Sequence, residues 1–218
     1  MKILVVADIH GDISSLGRVL SAAPEADVVV CPGNVTDMFK TPQEFSQLDV
    51  ADMVIQRLLS LNKPLLCVPG NHDPPEILDI FEEYKTNLHH KKTTVAGLQF
   101  GGFGGAKTPF HTLFEPSEEE TGAALASLGD MNVLVVHNPP KNTKNDRLKN
   151  GTHVGSLAVR KYIETHQPQL VITSHIHEAA GTDTIGKTTI YNPGPTFQGR
   201  YGIVTITKNN VVCTSHTC

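Results

Sequence analysis

Short apolar runs that alternate with amphipathic stretches restrict the fold of this chain more than any other feature. Lys2–Ala7, Val28–Cys31 and Leu65–Val68 are runs of strand length. Between the second and third run, a stretch from about Gln43 to Leu61 carries apolar residues at helical spacing. Strand-length runs separated by helical segments are typical of β-α-β units. The first half therefore predicts a doubly wound, parallel arrangement.

The second half of the chain has a different pattern. Thr93–Ala96 and Leu98–Gly102 flank Gly97 as in a β-hairpin, and Val154–Thr165 has the spacing of a helix. Further strand-length runs cover residues 133–136, 170–173, 182–185, 188–191, 202–207 and 211–214. Antiparallel strands added to a parallel half predict the α/β class, with two mixed β-sheets packed as a sandwich flanked by helices. No linker is visible, so residues 1–218 are expected to form one domain.

Composition limits the partners and the compartment. A formal net charge of −4 and a pI near 6.2 argue against tight binding of long nucleic acid, which needs a basic surface. No apolar run reaches the roughly 20 residues of a membrane helix, and the N-terminus reads as a strand instead of a targeting peptide. The four cysteines lack C-x-x-C spacing, which argues against a cysteine zinc site. Reduced thiols in a cytoplasmic protein are the default expectation. A homodimer is expected only from the general frequency of such assemblies.

Polar side chains directly follow five of the predicted strands, where α/β proteins form ligand crevices. The five clusters are Asp8-Ile9-His10, Gly33-Asn34-Val35-Thr36-Asp37, Gly70-Asn71-His72-Asp73, His137-Asn138-Pro139-Pro140 and Ser174-His175-Ile176-His177. Asp8 and His10 lie two residues apart, so an extended backbone would point both to one face, where they can chelate an ion; His175 and His177 repeat this spacing. Mixed carboxylate, amide and imidazole ligands suit Mn²⁺, Fe²⁺ or Zn²⁺. The clusters together predict a metal site.

In order and spacing, these clusters resemble the signature of the calcineurin-like metallophosphoesterase superfamily: D-x-H, G-D-x-x-D, G-N-H-(D/E), a later H, and G-H-x-H. The resemblance extends from residue 8 to residue 177. Gly101–Gly105 and Tyr191–Pro195 further resemble small prokaryotic, especially archaeal, members. The resemblance implies a four-layer fold and metal-dependent hydrolysis of a small phosphate mono- or diester.

The resemblance also implies a role for each matching residue. Two divalent ions, Mn²⁺ first and otherwise Fe, Zn or Ni, would have one ligand set each: Asp8, His10 and His177, and Asn71, His137 and His175. Asn34 would lie between the ions, which would share a bridging hydroxide. His72, with Asn71, would contact the phosphate and would protonate the leaving oxygen. Asp37 would orient His72 and support its protonated form.

Two positions depart from the signature. Ser174 replaces a glycine, which is a minor change because that glycine only relieves backbone crowding. Asn34 replaces the aspartate that bridges both ions in the family. A neutral amide with one ligating oxygen removes a negative charge between two cations, so the second ion is expected to bind more weakly. Asn34 fits either a natural low-activity variant or an engineered, inactivated one.

Three functions fit these residues. The first is a metallophosphoesterase, which is favoured because His72 and all the histidine ligands are retained. The second is a catalytically weak protein of the same fold that acts as an interaction scaffold, which Asn34 favours. The third is a mononuclear metal-binding protein without hydrolytic activity. For an enzyme, substrate selectivity is expected from the loops 101–116 and 138–153.

Several other residues attract attention. The Gly101–Gly105 run is interpreted as a loop near the site in preference to a phosphate-binding nest. His111 is interpreted as a surface histidine, with reach from a lid as the alternative, and His89-His90 as part of a solvated loop. Asp73 either fixes a neighbouring site histidine or caps a helix that starts at the following prolines. Asn192 is interpreted as a turn residue near the metals.

Overall fold

The computed structural model describes residues 1–41, 44–208 and 210–218. Its strands are β1 (Lys2–Val5), β2 (Val28–Cys31), β3 (Leu65–Cys67), β4 (Lys91–Val95), β5 (Leu98–Phe103), β6 (Val133–Val136), β7 (Leu170–Ile172), β8 (Gly181–Ile185), β9 (Thr188–Asn192), β10 (Arg200–Ile206) and β11 (Val211–Thr217). Its α-helices are α1 (Ile13–Ala22), α2 (Gln47–Leu59), α3 (Ile77–Glu83), α4 (Glu118–Leu128) and α5 (Leu157–His166).

The strands form two mixed sheets, as predicted. One sheet has five strands in the order β11-β10-β1-β2-β3, and the other has six in the order β4-β5-β6-β7-β9-β8. Strands β1, β2 and β3 are parallel, while β10 and β11 add an antiparallel edge. In the second sheet β5, β6, β7 and β9 are parallel, and β4 and β8 are antiparallel edges. The antiparallel strands of the second half thus lie at the edges, except β10, which lies between the edge strand β11 and β1.

Alternating side chains of the central strands build the layers of the fold. Ile3 and Val5 of β1 pack between the two sheets, with Val133 of β6, whereas Leu4 points to the layer of α1 and α2. On the opposite side, Leu134 of β6 packs against α4 and α5. Because both faces of these strands are covered, their sequences are continuous apolar runs without polar alternation. The resulting order of helices, sheet, sheet and helices is the predicted four-layer sandwich.

Side-chain caps determine where the helices begin. Asp12 caps α1 by accepting from the Ser15 N–H at 2.8 Å. Ser46 caps α2, whose predicted start at Gln43 lies outside the described residues. Ser156 caps α5 by accepting from Val159, so this helix begins at Leu157, after the predicted start. None of the helices in the described ranges is long and apolar enough to cross a membrane.

The interpretation of Gly101–Gly105 as a loop holds for Gly104 and Gly105 but is wrong for the residues before them. Gly101 and Gly102 belong to β5 and are buried, and a Cβ atom on Gly104 would collide with the carbonyl oxygen of Pro69. These glycines therefore allow close packing of β5 against the segment after β3. His89 also differs from its interpretation, because it stacks on Phe103 at 4.6 Å, and burial lowers its pKa to about 4.

Candidate metal centre

The five polar clusters meet at the carboxyl ends of β1, β2, β3, β6 and β7, at one edge of the sandwich. Contacts bridge the two sheets there, since the His175 N–H donates to Asp8 Oδ2 at 3.3 Å and His137 Nε2 lies 2.9 Å from Asn71 Oδ1. Asp8 and His137 are fully buried behind a cavity. The predicted site residues that line this cavity are His10, Asn34, Asp37, Asn71, His72, His175 and His177.

Left-handed backbone conformations bring these side chains together. Asp8 and His10 both have φ of +50°, Asn34 has +52° and His175 has +70°. Residues with a Cβ atom adopt this region at a cost of about 1–3 kcal/mol, and such residues concentrate at functional sites. Backbone hydrogen bonds hold the conformation, from Asp8 to the carbonyl of Gly33 at 3.1 Å and from His10 to that of Asn34 at 2.9 Å. The predicted extended geometry of Asp8 and His10 is therefore wrong, although their side chains do converge.

The first ligand group consists of Asp8, His10 and His177, whose potential ligand atoms lie within 4.8 Å of one another. Burial raises the pKa of Asp8, but its contacts with His177, His137 and His10 outweigh burial and hold this pKa below its usual range. Burial lowers the pKa of His10 to about 4, which leaves a neutral imidazole, the form that binds metals. His177 Nε2 is buried 3.7 Å from Asp8 Oδ1, beyond hydrogen-bonding distance, and has no hydrogen-bond partner among the described residues. An unpaired nitrogen facing a carboxylate fits a shared cation.

The second group consists of Asn71, His137 and His175. His137 Nδ1 lies 2.9 Å from the carbonyl oxygen of Pro32 and 2.9 Å from Ser174 Oγ, whose hydroxyl donates to the same carbonyl at 2.8 Å. Neither oxygen then offers a proton to Nδ1, so Nδ1 carries the proton and Nε2 is bare. Burial lowers the pKa of His137 to about 4 and that of His175 to about 3, so both rings are neutral near pH 7. Their ring centroids are 5.0 Å apart. Two imidazoles and an amide form a neutral ligand set.

The amide of Asn71 is turned by a chain of hydrogen bonds. Thr112 Oγ1 donates to the Glu115 carboxylate at 2.6 Å, which leaves its lone pairs for Asn71 Nδ2 at 3.2 Å. Asn71 Oδ1 therefore points inwards, to the bare Nε2 of His137 at 2.9 Å. Two atoms with lone pairs and no proton between them repel each other unless a cation binds both. The residues present thus fit a metal ion at this group as well.

Asn34 lies between the two groups, as the resemblance implies, but its amino group faces them. Nδ2 lies 3.2 Å from Asp8 Oδ1, 3.4 Å from His10 Nε2 and 3.4 Å from Asn71 Oδ1. Its oxygen is turned away and accepts from the backbone N–H of His72 at 3.0 Å. In this orientation Asn34 offers no ligand atom to either group. It places two N–H donors where the family signature has a carboxylate.

His72 and Asp37 form a pair beside the first ligand group. His72 Nδ1 lies 3.4 Å from Asp37 Oδ1, and His10 Nδ1 lies 3.4 Å from the other oxygen of the same carboxylate. Burial raises the pKa of Asp37, but the Phe39 N–H and both imidazoles outweigh burial and lower this pKa. Asp37 therefore remains an anion that can orient the ring of His72, which lines the cavity.

Comparison with known proteins identifies the family. Residues 1–179 match the family described as calcineurin-like phosphoesterase. The chain belongs to this family. An uncharacterized protein of Methanocaldococcus jannaschii is 35% identical over 222 residues, which cover 97% of this chain and 95% of that protein.

Solved structures share the fold of this calcineurin-like phosphoesterase. The crystal structure of a protein from Thermus thermophilus has a TM-score of 0.73 and 19% identity, covering 98% of this chain and 97% of that one. A dimetal phosphatase from Danio rerio has a TM-score of 0.65 and 11% identity, covering 100% and 96%. The family supports metal-dependent hydrolysis of phosphoesters as the general chemistry.

Asp73 joins the loops that carry the site. Its fully buried carboxylate accepts from the N–H groups of Val35, Thr36 and Gly70 at 2.7–3.2 Å and from the Thr36 hydroxyl at 2.8 Å. Burial raises its pKa. The N-cap of α3 is Glu76, so the interpretation of Asp73 as a helix cap is wrong. Asp73 instead joins the loop after β2, which carries Asn34, to the loop after β3, which carries His72.

Other neighbours of the site were not predicted, or only in part. Phe197 packs edge-on against His10 at 5.4 Å and His177 at 5.1 Å, and an isolated phenylalanine gives no sequence signal. Asn192 ends β9, is buried, and donates to the carbonyl oxygen of Ile176 at 3.0 Å, so it braces the segment that carries His177. His111 is exposed and is not among the described residues that line the cavity, in line with its interpretation as a surface histidine.

Proposed function

We propose that this chain hydrolyses a small phosphate mono- or diester with two divalent cations, Mn²⁺ first among them. The observation that carries this proposal is the bare Nε2 of His137, which faces Asn71 Oδ1 at 2.9 Å, an arrangement suited to a cation. The proposed ligands are Asp8, His10 and His177 for one ion, and Asn71, His137 and His175 for the other. Asn34 would join them only if its amide rotated.

The two cations would bind with unequal affinity. Asp8 is the only carboxylate in either ligand set, and Asn34 contributes no charge between them. Because attraction between a carboxylate and a cation is strong in a buried site, the group with Asp8 should hold its ion tightly. The neutral second group must bind an ion beside another dication, so its affinity should be lower.

When bound, the cations would supply Lewis-acid activation of water and of the phosphoryl oxygens. His72 would act on the phosphate and on the leaving group. Its Nδ1 faces Asp37 at 3.4 Å, and its ring lines the cavity, so Nε2 is the nitrogen left to contact the phosphate. As the P–O bond breaks, His72 would transfer a proton from Nε2 to the leaving oxygen. Asp37 would keep the ring oriented and compensate its positive charge.

A second function, that of a scaffold with little catalytic activity, is favoured by the orientation of Asn34. Its amino group donates to Asp8 Oδ1 at 3.2 Å and to Asn71 Oδ1 at 3.4 Å, so it partly satisfies oxygens that would otherwise need cations. A site stabilised in this way depends less on metal. The two functions differ in what replacement of Asn34 by aspartate should do.

The test is Mn²⁺-dependent hydrolysis of bis(p-nitrophenyl) phosphate by the parent chain, Asn34→Asp and His72→Asn. We expect Asn34→Asp to gain about 100-fold or more in rate, which corresponds to roughly 2.7 kcal/mol of barrier. His72→Asn should lose about 100-fold or more, the usual contribution of a general acid. Equal activity of the parent and Asn34→Asp would show that the bridging charge is dispensable. No turnover by either would favour the scaffold.

A further inference from the structure

The cavity beside the ligand groups extends well past the space that a phosphate would fill. Its volume is about 880 Å³, which falls within the range of small-molecule sites, about 300–1,000 Å³. Beside the polar side chains, apolar side chains form much of its wall: Phe39, Pro109, Phe110, Leu148, Val154 and Ile176. A phosphate group has no apolar surface to bury against these side chains, so the organic part of the substrate should contact them.

Two loops bring the same pair of residue types to this cavity. The loop between β2 and α2 contributes Phe39 and Lys40, and the loop between β5 and α4 contributes Lys107 and Phe110. Phe39 is 70% exposed and Phe110 is 77% exposed. Large apolar side chains this open at a cavity mark a binding surface, since a ligand that covers them removes apolar area from water.

Both phenylalanines have anchored backbones. The Phe39 N–H donates to Asp37 Oδ1 at 2.8 Å, and the Phe39 ring meets the His72 ring edge-on at 5.5 Å. The Phe110 N–H donates to Thr108 Oγ1 at 3.2 Å, and that hydroxyl donates to Glu115 at 2.7 Å. Anchored loops lose little conformational freedom when a ligand binds, which favours affinity.

The two lysines and the open aromatic rings of the cavity suit a phosphoester with a flat ring. Lys40 and Lys107 line the cavity on the same two loops as the phenylalanines. The carboxylates that line it, Asp12, Asp37 and Glu178, lie close in sequence to the site histidines or contact them. An exposed aromatic face binds a planar ring of a ligand by stacking, whereas an aliphatic ligand has no flat face to stack on it. A phosphoester with an aromatic ring thus matches both the apolar wall and the lysines.

We propose that Phe39 and Phe110 form a subsite for an aromatic ring on the substrate, so that the preferred phosphoester carries a flat group such as a nucleobase. This inference rests on the proposed phosphoesterase function. It assigns substrate preference to two loops. The loop of Phe110 lies within the segment 101–116, from which selectivity is expected on sequence grounds, whereas the loop of Phe39 lies outside the predicted segments.

Two substrates test the subsite: adenosine 5′-monophosphate, which carries an adenine base, and ribose 5-phosphate, which has no base. With Mn²⁺ and the parent chain, kcat/KM should be about tenfold or more higher for the nucleotide, because stacking of one base on an aromatic side chain contributes about 1–3 kcal/mol. Phe39→Ala with Phe110→Ala should abolish this preference, mainly through KM. Phe110→Leu, which keeps the apolar volume and removes the ring, should lose much of it. Phe45→Ala is the matched control, since Phe45 is 45% exposed but is not among the described residues that line the cavity.

A binding measurement separates failure of the subsite from failure of the proposed function. The chain has no tryptophan, so the fluorescence anisotropy of ethenoadenosine monophosphate can be followed without interference from that residue. A roughly tenfold weaker affinity in the double alanine variant supports the subsite even if neither substrate is hydrolysed. Equal affinity in the parent and the double variant, no detectable binding, or equal kcat/KM for the two substrates in the parent would overturn it.

Discussion

At the scale of single residues, we expect Asn34 to determine how many cations the site holds tightly. Its amino group lies 3.2 Å from Asp8 Oδ1 and 3.4 Å from Asn71 Oδ1, where a carboxylate would attract cations. We therefore expect isothermal titration with Mn²⁺ to show one tight ion in the parent and two in Asn34→Asp. Asn150→Asp, on an exposed loop, controls for the added charge and should keep one. A single tight ion in Asn34→Asp would contradict this account.

Asp73 is a residue whose contribution should appear in stability. Its carboxylate accepts four hydrogen bonds from the two loops that it joins, and an amide at this position would turn an amino group towards N–H donors. Leaving buried donors unpaired costs about 1–3 kcal/mol each. Asp73→Asn should lower the free energy of unfolding in urea by about 3 kcal/mol or more. Asp130→Asn removes only an exposed contact with His166 and should cost less than about 1 kcal/mol; similar losses in both would refute the role of Asp73.

At the scale of elements, the loop between β5 and α4 supports the second ligand group. The Thr112 hydroxyl donates its hydrogen bond to Glu115, so its oxygen accepts from Asn71 Nδ2 at 3.2 Å, and the Leu113 N–H donates to the Asn71 carbonyl oxygen at 2.9 Å. Thr112→Val should free the Asn71 amide to rotate. In an Asn34→Asp background, the affinity for the second Mn²⁺ should fall about tenfold or more, as for other residues that orient ligands. Thr112→Ser keeps the hydroxyl and should retain the affinity; equal losses in both variants would exclude this role.

Elements buried on both faces could be predicted from the sequence, and contacts between distant loops could not. The strands Val28–Cys31 and Val133–Val136 match their apolar runs residue for residue, because nothing but burial determines those runs. The ligand candidates followed from short motifs after such strands. By contrast, the pairing of Asn71 with Thr112 spans 41 residues and leaves no local pattern. The packing role of the Gly101–Gly105 run leaves no local pattern either, since Gly104 allows close approach to Pro69, a residue distant in sequence.

At the scale of the whole molecule, the site is shared between the two sheets of the sandwich. Asp8, Asn34 and Asn71 follow strands of one sheet, and His137 and His175 follow strands of the other. The hydrogen bond from His175 to Asp8 crosses this boundary. Protonation of the site should therefore weaken the contact between the two sheets, and the free energy of unfolding of the whole fold should fall with it.

The metal-free protein should lose stability as the pH falls from about 6.5 to about 4. Burial lowers the pKa of His10 and of His137 to about 4 and that of His175 to about 3. In this range the unfolded chain binds more protons than the folded one, so the stability is full above the unfolded pKa of about 6.5 and declines below it. Between about pH 6.5 and about pH 4, each imidazole contributes roughly 3 kcal/mol to this loss.

The raised pKa of His177 acts in the opposite direction, since burial lowers it but contact with Asp8 raises it more. His89, outside the ligand groups, also has a pKa lowered to about 4 by burial and adds to the decline. Because four lowered pKa values oppose one raised value among these histidines, the free energy of unfolding in urea, measured with chelator present, should fall by several kcal/mol between about pH 7.5 and about pH 5. His111→Gln removes an exposed histidine outside the cavity lining and should leave this decline unchanged. Saturating Mn²⁺ should hold the imidazoles unprotonated and shift the decline to lower pH. A stability that stays constant over this range without metal would mean that the three histidines are not buried as neutral groups, and the ligand sets built on them would have to be abandoned.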